Sequence, residues 1–148
     1  MKKLSIIICT YNSEKTIYEC LHSIKSVNFN AYEIIIIDGL SKDTTNEIVS
    51  NFINRHKEIN VIHISEFDDG IYDALNKGIQ LANGQYISVL HSDDKFLTDS
   101  SLNDLLDCIE KSNSDILLFS IAIFKMKKKL YRYAVSPFYS KLLKFGHM

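Results

Sequence analysis

Two adjacent carboxylates, Asp93 and Asp94, follow a stretch that alternates like a β-strand in the segment ISVLHSDDKF, residues 87–96. Like charges this close repel each other unless a cation lies nearby. Carboxylate oxygens suit Mg²⁺ and Mn²⁺, and such an ion is often held by one or two protein carboxylates together with phosphate and water. The pair is therefore a candidate metal site. Taken alone, it could equally cap the following turn.

Polar residues also follow the other predicted strands of the chain, and ligands of open α/β sheets bind beyond the carboxyl ends of the strands. These strand ends carry Thr10-Tyr11-Asn12, Asp38-Gly39, Glu66 to Gly70, and His91 to Asp94. An acid placed like Asp38 can accept hydrogen bonds from a ribose or a base. The first turn has no GxGxxG, so we expect a nucleotide held through its base and ribose, not a dinucleotide. A metal on the carboxylate pair would neutralise the charge of a departing diphosphate.

The elements that must position these residues alternate along the chain. Runs of β-branched residues and alternating patterns predict strands at 4–9, 32–38, 60–65, 85–90 and 115–124. Apolar residues spaced three and four apart predict helices between them, the last at 98–112. The order βαβαβαβαβ predicts a mainly parallel α/β sheet flanked by helices.

For several residues, packing in the core or exposure to solvent is a more common explanation than a role in binding. We expect Tyr72 and the Ile71/Leu75 stripe of the third helix to be mostly core, and Tyr11 is more often a packing residue than a base-stacking one. The default for Lys125 to Lys129 is a solvated basic turn. After residue 125 a short helix at 139–145 is the one further periodic signal.

Composition sets the class of the protein. A chain of 148 residues suits one domain, and the scattered Cys9, Cys20 and Cys108 predict reduced thiols in a cytoplasmic protein. The apolar run 4–9 predicts a first strand and not a signal peptide, and the run 116–124 is too short to span a bilayer.

Charge divides the chain. The net charge is −8 over residues 1–115 and +7 over 116–148, where there is no acid. The basic tail suggests anionic partners, and we expect a peripheral contact with the inner face of a membrane but no nucleic-acid partner.

The segments SIIICTYN, EIIIIDGLSKDTT and EFDDGIYDALNKGIQLANGQYISVLHSDD occur in this order. In order and spacing they resemble family 2 glycosyltransferases, the nucleotide-diphospho-sugar transferases of GT-A fold. The resemblance covers about residues 3–115, and the third segment is similar to the PDxGIYDAMNKG of bacterial colanic-acid and capsule-type members. It implies a donor-binding GT-A core at 1–115, followed by a strand and a basic tail at 116–148 that begin a truncated acceptor-side region.

The resemblance implies site residues one by one. Asp93 and Asp94 would form the DxD-type motif, in which Asp93 contacts the ribose and both acids bind Mg²⁺ or Mn²⁺. The residues implied to bind the donor base, ribose, diphosphate or sugar are Thr10, Tyr11, Asn12, Asp38, Asp68, Asp69, Gly70, Asp73, Asn76 and Lys77. His91 and Phe67 depart from the family pattern, which often has Asn or Asp and commonly Pro at these positions.

The implied activity is transfer of a sugar from a nucleotide-diphospho-sugar to a saccharide or lipid-linked acceptor hydroxyl in bacterial surface polysaccharide synthesis, with inversion. Inverting members use a carboxylate general base downstream, but no acid follows Asp115, so the catalytic base is unassigned. Truncation explains this, and a non-catalytic nucleotide-sugar-binding module is the alternative. A phosphoacceptor receiver domain ranks far behind, because its acids would stand where Thr10 to Asn12 are.

Overall fold

The computed structural model describes residues 3–24, 28–112, 114–117, 121–125 and 128–133. The chain divides into two compact units, Met1–Lys111 and Ser112–Met148. The first unit contains β1 (Leu4–Thr10), α1 (Ile17–Ser23), β2 (Tyr32–Asp38), α2 (Thr45–Arg55), β3 (Val61–Ser65), α3 (Ile71–Leu81), β4 (Tyr86–Val89) and α4 (Ser101–Lys111). The second contains β5 (Ile121–Lys125) and β6 (Lys128–Tyr133).

Strands β1 to β4 form a parallel sheet in the order β3-β2-β1-β4, which confirms the predicted fold class. Every residue of β1 and β2 is buried, as their continuous apolar runs predict for strands covered on both faces. The register pairs Thr10 with Asp38, and Asp38 with Ser65. The carboxyl ends of three strands therefore lie side by side.

Helix α3 packs on the sheet through the small residues Ala74 and Gly78 and through Leu75, the member of the predicted Ile71/Leu75 stripe that does pack against the core. Ala74 and Gly78 are buried, and a Cβ on Gly78 would lie 2.5 Å from Ile7 Cγ2. The expectation that Ile71 and Tyr72 are core is wrong, because their side chains are 50% and 81% exposed. A helix that approaches a sheet this closely must present glycine and alanine to it.

The end of the chain differs from the prediction. Residues 115–117 lie outside strands, β5 begins at Ile121, and it pairs antiparallel with β6. Lys125, Lys128 and Lys129 belong to these strands, so the predicted basic turn at 125–129 is wrong for them. Antiparallel strands can be joined by a very short connection. The hydrophobic pattern of one strand does not show whether such a partner follows directly. The predicted helix at 139–145 lies outside the described residues.

Among the described residues, no helix is long and apolar enough to cross a bilayer.

Candidate functional site

A cleft of about 1070 Å³ lies at the carboxyl ends of the parallel strands. It is lined by residues that the sequence places after three different strands, among them Thr10, Tyr11, Asn12, Asp68, Gly70 and Asp93. Asp93 also lines an adjoining recess of about 250 Å³ together with Asp94. The fold therefore brings these predicted site residues to one place.

The loop after β1 forms one wall of this cleft. Tyr11 is 61% exposed, so the expectation that it is a packing residue is wrong. Asn12 adopts a left-handed conformation with φ 49°, which Asn tolerates better than most residues. Its N–H donates to Ser41 Oγ at 2.7 Å, and its Oδ1 accepts from Lys42 N–H at 2.8 Å. Asn12 thus joins the loops that follow β1 and β2.

Thr10, at the end of β1, brings a polar atom to the cleft wall. The residue is 5% exposed, and its Oγ1 has no hydrogen-bond partner among the residues that the structure describes. Buried hydroxyls are normally paired, so an unpaired one in a cleft wall is suited to bind a ligand atom or a water.

Asp38 faces the protein and does not line the cleft. It is fully buried, and its Oδ2 accepts from Ser41 N–H at 3.0 Å, Asn46 Nδ2 at 2.8 Å and Ser65 Oγ at 2.6 Å. Its Oδ1 accepts from Ser41 Oγ. Burial acts to raise the Asp38 pKa, but these hydrogen bonds outweigh it and the pKa is lowered. In this arrangement Asp38 holds three elements together, and its contact with a nucleotide stays a prediction.

Asp68 is a carboxylate residue that does line the cleft. An ideal Cβ on Gly39 would lie 2.6 Å from Asp68 Oδ2 and 3.5 Å from Tyr11 Cδ2. Asp68 Oδ1 accepts from Gly70 N–H at 2.9 Å. Burial, and secondarily the charge of Asp68, raise the pKa of the nearby Cys9 thiol. The absent side chain at Gly39 therefore leaves the space that Asp68 occupies beside an exposed aromatic ring.

Asp73 and Lys77 do not line the cleft. They contact each other at 3.1 Å on the first turns of α3, and Lys77 also contacts Glu66 and the Phe67 carbonyl oxygen. Asp73 accepts from Asp69 N–H at 3.2 Å. Asn76 is exposed on the same helix. Their implied contacts with the diphosphate or the sugar stay predictions.

Asp93 and Asp94 are exposed, and neither carboxylate has a hydrogen-bond or ion-pair partner in the described part of the chain. The pair therefore does not act as a turn cap through its side chains. Lys15 and Lys95 line the same recess but form no ion pair with either acid among the described residues, so two hard oxygen donors remain that fit Mg²⁺ or Mn²⁺. The described residues contain no cluster of three or more His, Cys, Asp or Glu suited to a metal. Such an ion would thus need further ligands from phosphate and water.

The loop that carries these acids is attached to α1 and the turn before it by contacts that sequence reasoning did not find. Ser92 Oγ lies 2.9 Å from Ser13 Oγ, and Phe96 N–H donates to Ser23 Oγ at 3.0 Å. Cys20 Sγ donates to the His91 carbonyl oxygen at 3.5 Å. Burial raises the Cys20 pKa to about 12, with contributions from Asp94 and Asp93, so the thiol stays protonated.

Comparison with known proteins bears on this site. The model of the family "Glycosyl transferase family 2" matches residues 5–147. The glycosyltransferase GlyG of Streptococcus pneumoniae is 29% identical over 115 residues, which are 78% of this chain and 38% of that protein. The poly(ribitol-phosphate) beta-N-acetylglucosaminyltransferase TarS of Staphylococcus aureus is 31% identical over 123 residues, 82% of this chain and 21% of TarS. The chain thus spans less than half the length of these relatives.

Solved structures agree with the sheet topology. S. aureus TarS 1–349 in complex with UDP-GlcNAc superposes with a TM-score of 0.66 at 28% identity, over 74% of this chain and 31% of that one. The mannosyltransferase PcManGT of Pyrobaculum calidifontis, in complex with GDP-Man and Mn²⁺, superposes with a TM-score of 0.66 at 22% identity, over 73% and 31% of the two chains. This second likeness concerns the fold alone. Together they confirm the GT-A type of fold.

Proposed function

The chain belongs to glycosyl transferase family 2, and from this premise we propose that it is the donor-binding part of a glycosyltransferase. It binds a nucleotide-diphospho-sugar together with Mg²⁺ or Mn²⁺. One observation carries the proposal: Asp93 in the cleft and Asp94 in its adjoining recess have carboxylates without a partner among the described residues, and the same cleft carries an exposed Tyr11 and the Asp68 carboxylate.

Different residues of the cleft contact different parts of the donor. Tyr11 offers a flat aromatic face on which a base stacks. A carboxylate only accepts hydrogen bonds and donates none, so Asp68 selects N–H or O–H donors of the base or ribose. Thr10 Oγ1 supplies a further polar contact.

Asp93 and Asp94 hold the diphosphate end. Their two negative charges cannot bind an anionic diphosphate directly, so the cation between them is required for binding. When bound, that ion supplies charge neutralisation for the departing diphosphate. The acids hold the leaving group, and the group that deprotonates the acceptor hydroxyl must come from another part of the enzyme.

Titration calorimetry tests this assignment. We expect UDP or GDP to bind with Mn²⁺ and to bind at least about tenfold more weakly after the metal is chelated. Asp93→Asn and Asp94→Asn should each lose most of the metal-dependent gain. Asp107→Asn, an exposed acid on α4, is the matched control and should bind like wild type. Equal metal-dependent affinity in all four proteins would refute the metal site.

The finer parts of the function extend this proposal. The complete enzyme transfers the sugar with inversion to a saccharide or lipid-linked hydroxyl in bacterial surface polysaccharide synthesis. It works in the cytoplasm at the inner face of the membrane, where the +7 charge of residues 116–148 attracts anionic lipids. Neutralising Lys127, Lys128 and Lys129 should weaken partitioning onto anionic liposomes, and unchanged partitioning would count against this contact.

A second candidate function is a non-catalytic nucleotide-sugar-binding module. Turnover distinguishes the two. Binding of the donor without transfer or hydrolysis, in the longest product of the reading frame, would support the module.

A further inference from the structure

Lys77 has all the hydrogen-bond donors of its ammonium group engaged by protein atoms. Its Nζ donates to the Phe67 carbonyl oxygen at 2.6 Å and lies 3.1 Å from carboxylate oxygens of both Glu66 and Asp73. An ammonium has three N–H donors and no acceptor. The Lys77 side chain is 26% exposed. To bind a phosphate, it would have to give up one of these three contacts.

The segment that Lys77 contacts is loop 66–70, which connects β3 to α3 and carries Asp68. Glu66 N–H donates to the Asp38 carbonyl oxygen at 3.0 Å, which fixes the start of the loop to β2. Asp69 N–H donates to Asp73 Oδ2, which also contacts Lys77. The end of the loop is therefore held by a residue pair on the first turns of α3.

The charges of this group support one another. Desolvation acts to lower the Lys77 pKa, but hydrogen bonds and charge from Glu66 and Asp73 outweigh it and the pKa is raised. Hydrogen bonds from Lys77 and from the Asp69 N–H lower the Asp73 pKa. Both groups are thus charged at neutral pH, and the contact with the loop is charge-assisted.

We infer that Lys77 is a positioning residue, which holds loop 66–70 on α3 and thereby places the Asp68 carboxylate in the cleft. It acts through Asp68 and does not itself bind the diphosphate. The inference deepens the proposed function, on which it rests for the role of Asp68.

Amide hydrogen exchange tests the first half of this inference without any ligand. Lys77→Met keeps the length of the side chain but removes its charge and its hydrogen-bond donors. Lys77→Arg keeps the charge and the donors. Lys57→Met changes an exposed lysine after α2 and is the matched control. We expect exchange of the Asp69 and Gly70 amides to rise about tenfold in Lys77→Met, and to stay near wild type in the other two. Unchanged exchange in Lys77→Met would overturn the inference.

Nucleotide titrations test the second half. A residue that acts through Asp68 should matter equally with and without phosphates, so Lys77→Met should weaken uridine or guanosine and their diphosphates by the same factor, about fivefold. In an Asp68→Asn background the same change should cost less than about twofold. A loss confined to the diphosphates would show direct phosphate binding and overturn the inference. If the wild type binds no nucleoside or nucleotide, the proposed function fails, while exchange still decides whether Lys77 holds the loop.

Discussion

Asp38 provides the sharpest prediction about how the cleft is built. Replacing it with Ala removes the acceptor of two donors whose positions the backbone and α2 fix, Ser41 N–H at 3.0 Å and Asn46 Nδ2 at 2.8 Å. A buried donor left without a partner costs about 1–3 kcal/mol. The hydroxyls of Ser41 and Ser65 can rotate towards other acceptors and should cost less. We therefore expect Asp38→Ala to lower the free energy of unfolding by about 3 kcal/mol.

Asp38→Asn should be milder, because the amide oxygen can take the place of Oδ2 and keep its three donors. The amide nitrogen can then donate to Ser41 Oγ, whose hydroxyl reverses its role. What is lost is the extra strength of hydrogen bonds to an ionised acceptor, about 1 kcal/mol. Asn and Ala should thus differ by about 2 kcal/mol.

The pH dependence separates charge from packing. The folded protein lowers the Asp38 pKa below its usual value of about 3.9, so ionised Asp38 stabilises the fold at pH values above that value. This stabilisation is lost as the pH falls through the lowered pKa. The advantage of wild type over Asp38→Asn should therefore be complete above about pH 5 and should shrink below about pH 4.

Urea denaturation followed by tyrosine fluorescence and circular dichroism measures these differences, since the chain has eight tyrosines and no tryptophan. Equal stability of the Asn and Ala variants would refute the hydrogen-bond assignment. An advantage over Asn that persists unchanged in acid would refute the role of the charge.

Three further substitutions test neighbouring features. Gly39→Ala should weaken nucleotide binding several-fold with little change in melting temperature, because its Cβ displaces the Asp68 carboxylate; unchanged affinity in calorimetry would contradict this. Gly70→Ala should lower the free energy of unfolding, measured in urea, by about 1–3 kcal/mol, because φ 106° with ψ 179° strains any residue that has a Cβ, even though no atom lies near that position. A neutral effect would show that the backbone shifts freely. Glu33→Leu should cost about 2–4 kcal/mol by the same assay, because buried Glu33 accepts from Asn83 N–H at 2.7 Å and Asn60 Nδ2 at 3.1 Å; preserved stability would mean that water replaces it.

The central strands could be predicted because their burial is simple. Every residue of β1 and β2 is buried, so a continuous β-branched run is enough to locate them. The contact face of α3 could not, because Ala74 and Gly78 give no hydrophobic signal, while the apolar Ile71 and Tyr72 remain exposed. Close approach of a helix to a sheet requires small residues, which periodicity does not distinguish from exposed ones.

The acids of the site show a similar limit to what the sequence can predict. Asp38 and Asp68 both follow strands, and the sequence gives no reason to assign them opposite directions. Asp38 turns inward because donors converge on it from the following loop, α2 and β3, and this convergence exists only in the folded chain. Gly39 was the available signal, because a residue without a side chain beside Asp38 leaves room for a group from elsewhere. The sequence could indicate Asp93 and Asp94 as a candidate cation site because the two acids are adjacent at a strand end, and their metal role stays a prediction.

The position of Asp93 and Asp94 depends on contacts made by other residues of their loop. Their carboxylates have no partner in the described part of the chain, so nothing at the side-chain level holds them in place. The loop around them is held instead: Ser13 contacts the Ser92 side chain, and Cys20 and Ser23 contact the backbone of His91 and Phe96. Ser13 also donates its N–H to Thr45 Oγ1 at the start of α2. Through Ser13, the loop that carries Asp93 and Asp94 is therefore connected to the segment that follows β2. A seven-residue α1, with the turn before it, therefore fixes the proposed metal end of the cleft relative to the proposed base end, while the two carboxylates have no partner among the described residues.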